Sequence, residues 1–109
     1  MEETNQETAS RREVNNKNML QLQINAGHLL LDEDYGEDWV FNIDIDTLNM
    51  QSCDKDILGQ LYGGYELGLS TFELQNGNNH GFTSKDSRLQ DLQLQTIKRL
   101  RKERSRMSV

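Results

Sequence analysis

The residues of this chain that could act chemically are few and badly spaced for catalysis. Cys53 is the only cysteine, and His28 and His80 are the only histidines. A fold can bring a thiol and an imidazole together from distant positions, but a lone cysteine opening a helix ordinarily serves as a small buried hydrophobe. Asp44 and Asp46 point to one side if their segment is extended, as paired acid-base chemistry requires, yet nothing beside them suggests a matched general acid. The run Asp32-Glu33-Asp34-Tyr35-Gly36-Glu37-Asp38 approaches a calcium loop and fails it, with Glu37 where the sixth position needs glycine and Ile43 where the twelfth needs glutamate. The chain is therefore read as a non-enzyme, with no catalytic residue, no metal site and no cofactor expected.

Charge is the stronger functional signal. The net value of −6 conceals a separation: fifteen carboxylates face four cations through Ser84, and eight cations face three carboxylates from Lys85 onward. The acidic candidates for partner binding are Asp32, Glu33, Asp34, Glu37, Asp38, Asp44 and Asp46. The basic alternative is Lys98, Arg99, Arg101, Lys102, Arg104 and Arg106. Such faces can attract one another within a monomer or between copies, which makes a homo-oligomer one expected outcome. They can also bind partners. Spaced carboxylates imitate a phosphate backbone and could occupy the basic channel of a nucleic-acid enzyme, an attraction that falls steeply with salt. Direct nucleic-acid binding by the basic cluster is the second expectation, weakened by the acidic balance of the whole and by the lack of interleaved aromatics for base stacking.

The elements that must carry these charges fit in one small domain, since 109 residues leave no room for a second core. Hydrophobic content of 34% predicts a thin core. The longest apolar run, residues 29–31, is far too short for a membrane helix, and the first ten residues lack a basic-then-apolar leader pattern. With a single cysteine, a cytoplasmic location and no membrane partner are expected. The chain has no proline, so turns fall to glycine, asparagine and aspartate.

Residues 1–18 are almost wholly polar and read as a flexible arm; residues 19–109 read as a single small helical domain. Over 19–31 a strand alternation of Leu20, Leu22 and Ile24 competes with a helical face, and a helix over residues 25–34 is preferred. Trp39, Val40, Phe41, Ile43 and Ile45 are β-prone or an extended anchor, with Trp39 buried. Asp46 is expected to cap a short turn through Leu48 and Met50. A central helix is expected over residues 53–69, capped by Ser52 or Asp54, with Asp56 in its first turn and Ile57, Leu58, Leu61, Tyr62, Tyr65 and Leu69 as its stripe. Its glycine pairs, Gly59 with Gly63 and Gly64 with Gly68, predict grooves for close packing against the monomer or a second copy. Phe72, Leu74, His80 and Phe82 around Asn76-Gly77 allow a hairpin. Ser84 is expected to cap a last helix whose apolar face is Leu89, Leu92, Ile97 and Leu100. The fold class is mainly α: a compact domain of three or four helices, with room for one short β-hairpin.

The order LLLDEDYGEDW, IDIDTLNM, CDKDILGQLYGGYELGL, HGF and a closing helix with RLRKER resembles a group of short uncharacterised proteins of bacteriophages and Gram-positive, especially actinobacterial, genomes. It spans residues 27–104 and is most specific at Leu58-Gly59-Gln60-Leu61-Tyr62-Gly63 with Tyr65. The chain departs from that pattern at Asp54-Lys55-Asp56, inserted after Cys53, and in lacking a tryptophan on the closing helix. The resemblance implies a phage or mobile-element origin, and marks Gln60, Tyr62 and Tyr65 as positions to probe. Together with the charge pattern, it leads to an accessory protein acting by protein-protein interaction. An acidic-surface inhibitor of a host defence nuclease, such as a restriction or CRISPR effector, is the specific form, with a host or phage protein as partner.

Overall fold

A computed structural model describes residues 5–107, with side chains from residue 17 to residue 105. Helix α1 occupies Asn5–Asp34. Leu20, Ile24, His28 and Leu31 recur at four, four and three residues and are all buried, while Leu22 is exposed, so helical periodicity defeats the strand alternation. The helix begins well before residue 25. Nothing in the segment breaks it, because proline is absent and Glu, Gln, Arg and Ala are good helix formers. Of the arm expected at 1–18, residues 1–4 and the side chains before residue 17 lie outside the described residues; the backbone from Asn5 on is continuous with α1.

After Tyr35 and Gly36 the chain makes a 3-10 turn over Glu37–Phe41, where a strand or extended anchor was expected. Trp39 and Val40 are fully buried there. The carbonyls that a partner strand would take are taken by arginines of the last helix. Residues 45–47 form a turn, and its capping side chain is Asp44 rather than Asp46, since the Asp44 carboxylate accepts from the Asp46 N–H at 3.0 Å.

The expected central helix is two helices, α2 (Ile57–Tyr62) and α3 (Tyr65–Thr71). The break falls at Gly63, whose φ of 88° is left-handed and whose N–H donates to the Gly59 carbonyl, a C-terminal cap that suits glycine. The N-cap is Asp56, with Oδ1 accepting from the Gly59 N–H at 2.6 Å, so the start lies beyond the expected Ser52 or Asp54. Ser52 instead donates to the Asp54 carboxylate. Of the expected grooves only part forms: α3 folds back on α2 with Gly68 against Leu58, Gly59 lies against the backbone of Cys53 and Asp54, and a Cβ at Gly63 or Gly64 would meet no closer neighbour than the Leu67 side chain, at 3.8 and 3.7 Å. Cys53 is exposed, against the expectation of a buried hydrophobe, and its carbonyl accepts from the Tyr65 N–H at 2.8 Å.

No hairpin forms at Asn76-Gly77. Gly77 has φ −96°, whereas the two-residue hairpin turn favoured by Asn-Gly needs positive φ, and a 3-10 turn follows at Asn78–His80. That turn presses on α1 at Gly27, where a Cβ would stand 2.0 Å from the His80 carbonyl oxygen. Helix α4 spans Leu89–Met107. It starts later than Ser84 because Ser84 Oγ takes the Asp86 N–H and the Asp86 carboxylate takes the Arg88 N–H, spending those donors on consecutive local turns. Its expected apolar face holds: Leu89, Leu92 and Ile97 are buried and Leu100 packs beside them. The result is a compact, mainly α, four-helix domain, without strands among the described residues.

Two glutamines of α4 tie the layers together. Buried Gln93 accepts from His28 Nε2 at 2.7 Å and donates to the Gly81 carbonyl at 2.9 Å. Burial pushes the His28 imidazole down to about 4, so it is neutral at pH 7, packed edge-on against Trp39 at 4.7 Å. Gln90 spans Leu48 and Met50, donating to one carbonyl and accepting from the other N–H, both at 2.8 Å.

Candidate partner-binding surface

The acidic segment and the basic helix meet. Arg104 forms a two-pronged ion pair with Asp32, at 2.9 and 3.0 Å, and also donates to the Glu37 carbonyl. Asp32 accepts in addition from Trp39 Nε1 at 2.7 Å. One turn earlier, Arg101 donates to the carbonyls of Val40, at 2.6 Å, and Ile43. Arg101 and Arg104 thus tie down the backbone of the 37–43 segment, and of the seven acidic candidates Asp32 alone is neutralised by a cation among the described residues. The sequence carried a signal for this: Ile97, Arg101 and Arg104 continue the buried stripe at four and three residues.

The other acidic candidates face water. Glu33, Asp34, Glu37, Asp38, Asp44 and Asp46 are all exposed. Asp34 accepts from the Tyr62 hydroxyl at 2.8 Å, and burial together with this bond holds the phenol well above its ordinary range. Among the basic candidates Lys98, Arg99 and Lys102 are exposed, Arg101 and Arg104 are partly buried, and the Arg106 side chain lies outside the described residues. Arg99 stands 3.9 Å from Glu103, a long contact.

The three motif positions are structural fasteners. Gln60 accepts from the Asp44 N–H at 2.7 Å and donates to the carbonyls of Asp44 and Lys55, closing the loop that presents Asp44 and Asp46. Tyr62 anchors the end of α1 through Asp34 and stands edge-on to Tyr35 and Phe72. The Tyr65 hydroxyl accepts from the Gly77 N–H at 2.9 Å.

The run 32–38 is divided between the end of α1 and the 3-10 turn, with Asp32 and Asp34 turned to Arg104 and Tyr62. Among the described residues no three His, Cys, Asp or Glu side chains gather as a metal ion would need. No helix among them is long and apolar enough to cross a membrane. The surface is a firmly held backbone carrying outward carboxylates. No protein-family model, curated protein or solved structure matches the chain.

Proposed function

We propose that this chain is an accessory protein of a phage or other mobile element that acts in the cytoplasm by binding a basic, nucleic-acid-handling protein, in the manner of an inhibitor of a host defence nuclease. The contact surface is the exposed carboxylate set of Glu33, Glu37, Asp38, Asp44 and Asp46. The observation that carries this reading is the use of Arg101 and Arg104, which grip main-chain carbonyls and Asp32 and leave those five side chains in solvent. A backbone held at both ends keeps the charges in place, so little ordering cost remains to be met on binding. The mobile-element origin rests on the sequence resemblance. The same two arginines are withdrawn from the basic face, which leaves the nucleic-acid alternative Lys98, Arg99 and Lys102 among the described side chains.

The test is affinity capture from a host lysate at low and high salt, with and without nuclease digestion. A captured nucleic-acid enzyme that survives digestion, weakens with salt and is lost with Glu33→Lys, Asp38→Lys and Asp46→Lys combined supports the proposal. Capture of nucleic acid itself, insensitive to those three changes and lost with Lys98→Glu and Lys102→Glu, would replace it with the basic-helix reading.

A further inference from the structure

We infer that Asn76 is a site of spontaneous deamidation, held shut in the native fold by the hydroxyl of Tyr65 and released when the segment around it opens. The chain has a single Asn-Gly pair, Asn76-Gly77. In that dipeptide the next main-chain nitrogen reaches the asparagine side-chain carbonyl carbon most freely, because glycine has no Cβ to obstruct the approach. Packing demands the glycine: a Cβ at Gly77 would stand 2.6 Å from the Cβ of Phe82 and 3.0 Å from the Tyr65 hydroxyl. The fold has thus set the least obstructive neighbour beside an exposed asparagine.

Both reacting groups are engaged. Asn76 Oδ1 accepts from the Asn78 N–H at 2.9 Å, which polarises the side-chain carbonyl toward attack. The nucleophile is restrained. The Gly77 N–H donates to Tyr65 Oη at 2.9 Å, and the Gly77 carbonyl accepts from the N–H groups of His80 and Phe82 at 3.2 and 3.0 Å. Attack requires the Gly77 nitrogen to lose its proton and swing toward Asn76 Cγ, and a residue tied through both its N–H and its carbonyl does neither. Once the Tyr65 bond opens, the nitrogen gives its proton to solvent and bonds to Cγ; the Cγ–Nδ2 bond breaks, and ammonia leaves with a proton from water. Water then opens the cyclic imide at either carbonyl, giving aspartate or isoaspartate at position 76. The isoaspartyl chain runs through the former side-chain methylene and is longer by one main-chain atom. The turn that follows has no slack for it, since a Cβ at Gly27 would meet the His80 carbonyl oxygen at 2.0 Å and one at Gly81 would meet Ile24 Cα at 2.6 Å. Either product also places a new carboxylate in the surface groove that Asn76 and Tyr65 share with Glu66. Modification therefore makes a transient opening permanent.

The full chain is aged at pH 8, and mass spectrometry of tryptic peptides reads the exchange of ammonia for water at position 76. The native chain should react at least about tenfold more slowly than the same chain in guanidinium chloride, since a bonded amide reacts only while its segment is open. Tyr65→Phe keeps the ring and strips the acceptor; with unchanged circular dichroism, it should raise the native rate about three- to tenfold, the factor one ordinary hydrogen bond supports. Arg101→Met loosens the 37–43 segment and keeps the Tyr65 bond, so it separates local opening from whole-chain unfolding and should leave the rate unchanged. The isoaspartyl chain, isolated by ion exchange, should be cut by chymotrypsin at Phe82 at least about tenfold faster than the parent, because that residue is buried only while the segment is seated. A native rate equal to that in denaturant, a Tyr65→Phe rate no greater than the parent's, or equal acceleration by Arg101→Met overturns the inference that Tyr65 holds the site shut. An isoaspartyl chain as resistant as the parent overturns the lasting opening assigned to the product.

Discussion

Asp56→Asn should stabilise this protein at pH 8 and leave it nearly unchanged at pH 4. Asp56 caps α2 from a position only 3% exposed, and burial raises its carboxyl from an ordinary 3.8 to about 7, against the opposing effect of the Gly59 N–H. A raised carboxyl favours the folded state only while protonated. Between pH 4 and 7 the folded protein holds a proton that the unfolded chain has released, so stability falls as pH rises through that window and the loss is complete above it. Three pH units at 1.36 kcal/mol each set a ceiling of about 4 kcal/mol. Asparagine keeps an oxygen for the Gly59 N–H and carries no charge, so the variant avoids that loss.

His28 makes the comparison sharper, because its linkage has the opposite sign. Its folded value near 4 lies below the ordinary 6.5, so acid protonates the unfolded chain first and stability falls as pH drops through 6.5 toward 4, by up to about 3 kcal/mol. In the parent the two slopes largely cancel between pH 4 and 6.5. In Asp56→Asn the His28 slope stands uncovered, and stability should climb with pH across that range. Urea unfolding of both proteins at half-unit steps from pH 4 to 8 gives the difference curve directly, and groups common to the two cancel in it. The difference should grow from under about 1 kcal/mol to roughly 2–4 kcal/mol. A difference independent of pH would refute the buried, raised carboxyl.

Three further outcomes follow from the same contacts. Arg101→Met preserves the aliphatic stem but strips the donors from the Val40 and Ile43 carbonyls, and should cost about 2–3 kcal/mol with a red shift of Trp39 emission; unchanged emission and midpoint would contradict the pinning of the 37–43 segment. Gly63→Ala, at φ 88°, should cost about 1–2 kcal/mol, while Gly64→Ala, in extended backbone with its nearest neighbour at 3.7 Å, should cost less than about 0.5 kcal/mol; equal losses in thermal melts would refute the left-handed cap. Gln93→Leu leaves both the His28 Nε2–H and the Gly81 carbonyl buried without partners and should cost roughly 2–4 kcal/mol by urea titration, a value that a silent substitution would exclude.

Much of the helical architecture was legible from residue type alone, because a buried face repeats every three or four residues wherever its helix lies. Ile57, Leu58 and Leu69, and Leu89, Leu92 and Ile97, are in the core where their spacing placed them, and Trp39 is buried as its size and scarcity required. Glycine was the harder signal. Four glycines in the 53–69 segment were read as grooves along one helix, but Gly63 ends a helix, and only its left-handed φ distinguishes a terminator from a packing residue. The Asn76-Gly77 pair misled for a similar reason: its hairpin preference is local, and the close approach of the next turn to Gly27 of α1 imposes another backbone there.

The acidic surface divides along the same line. Which residues carry charge, and the opposite signs of the two ends of the chain, follow from the sequence by itself. Which of those charges remain available is a tertiary matter. Asp32 and Arg104 are 72 residues apart, and although helical spacing puts Arg104 rather than Lys102 on the buried stripe of α4, nothing local marks Asp32 as its partner. Packing of α4 beside the 3-10 turn brings the first pair together and sets partly buried Arg101 over main-chain carbonyls, so Arg101, Arg104 and Asp32 became part of the scaffold, and Asp34 joins them through Tyr62. Periodicity depends on neighbours along the chain and can be read from it; pairing of charges depends on which helices touch, and that is settled only when the core closes.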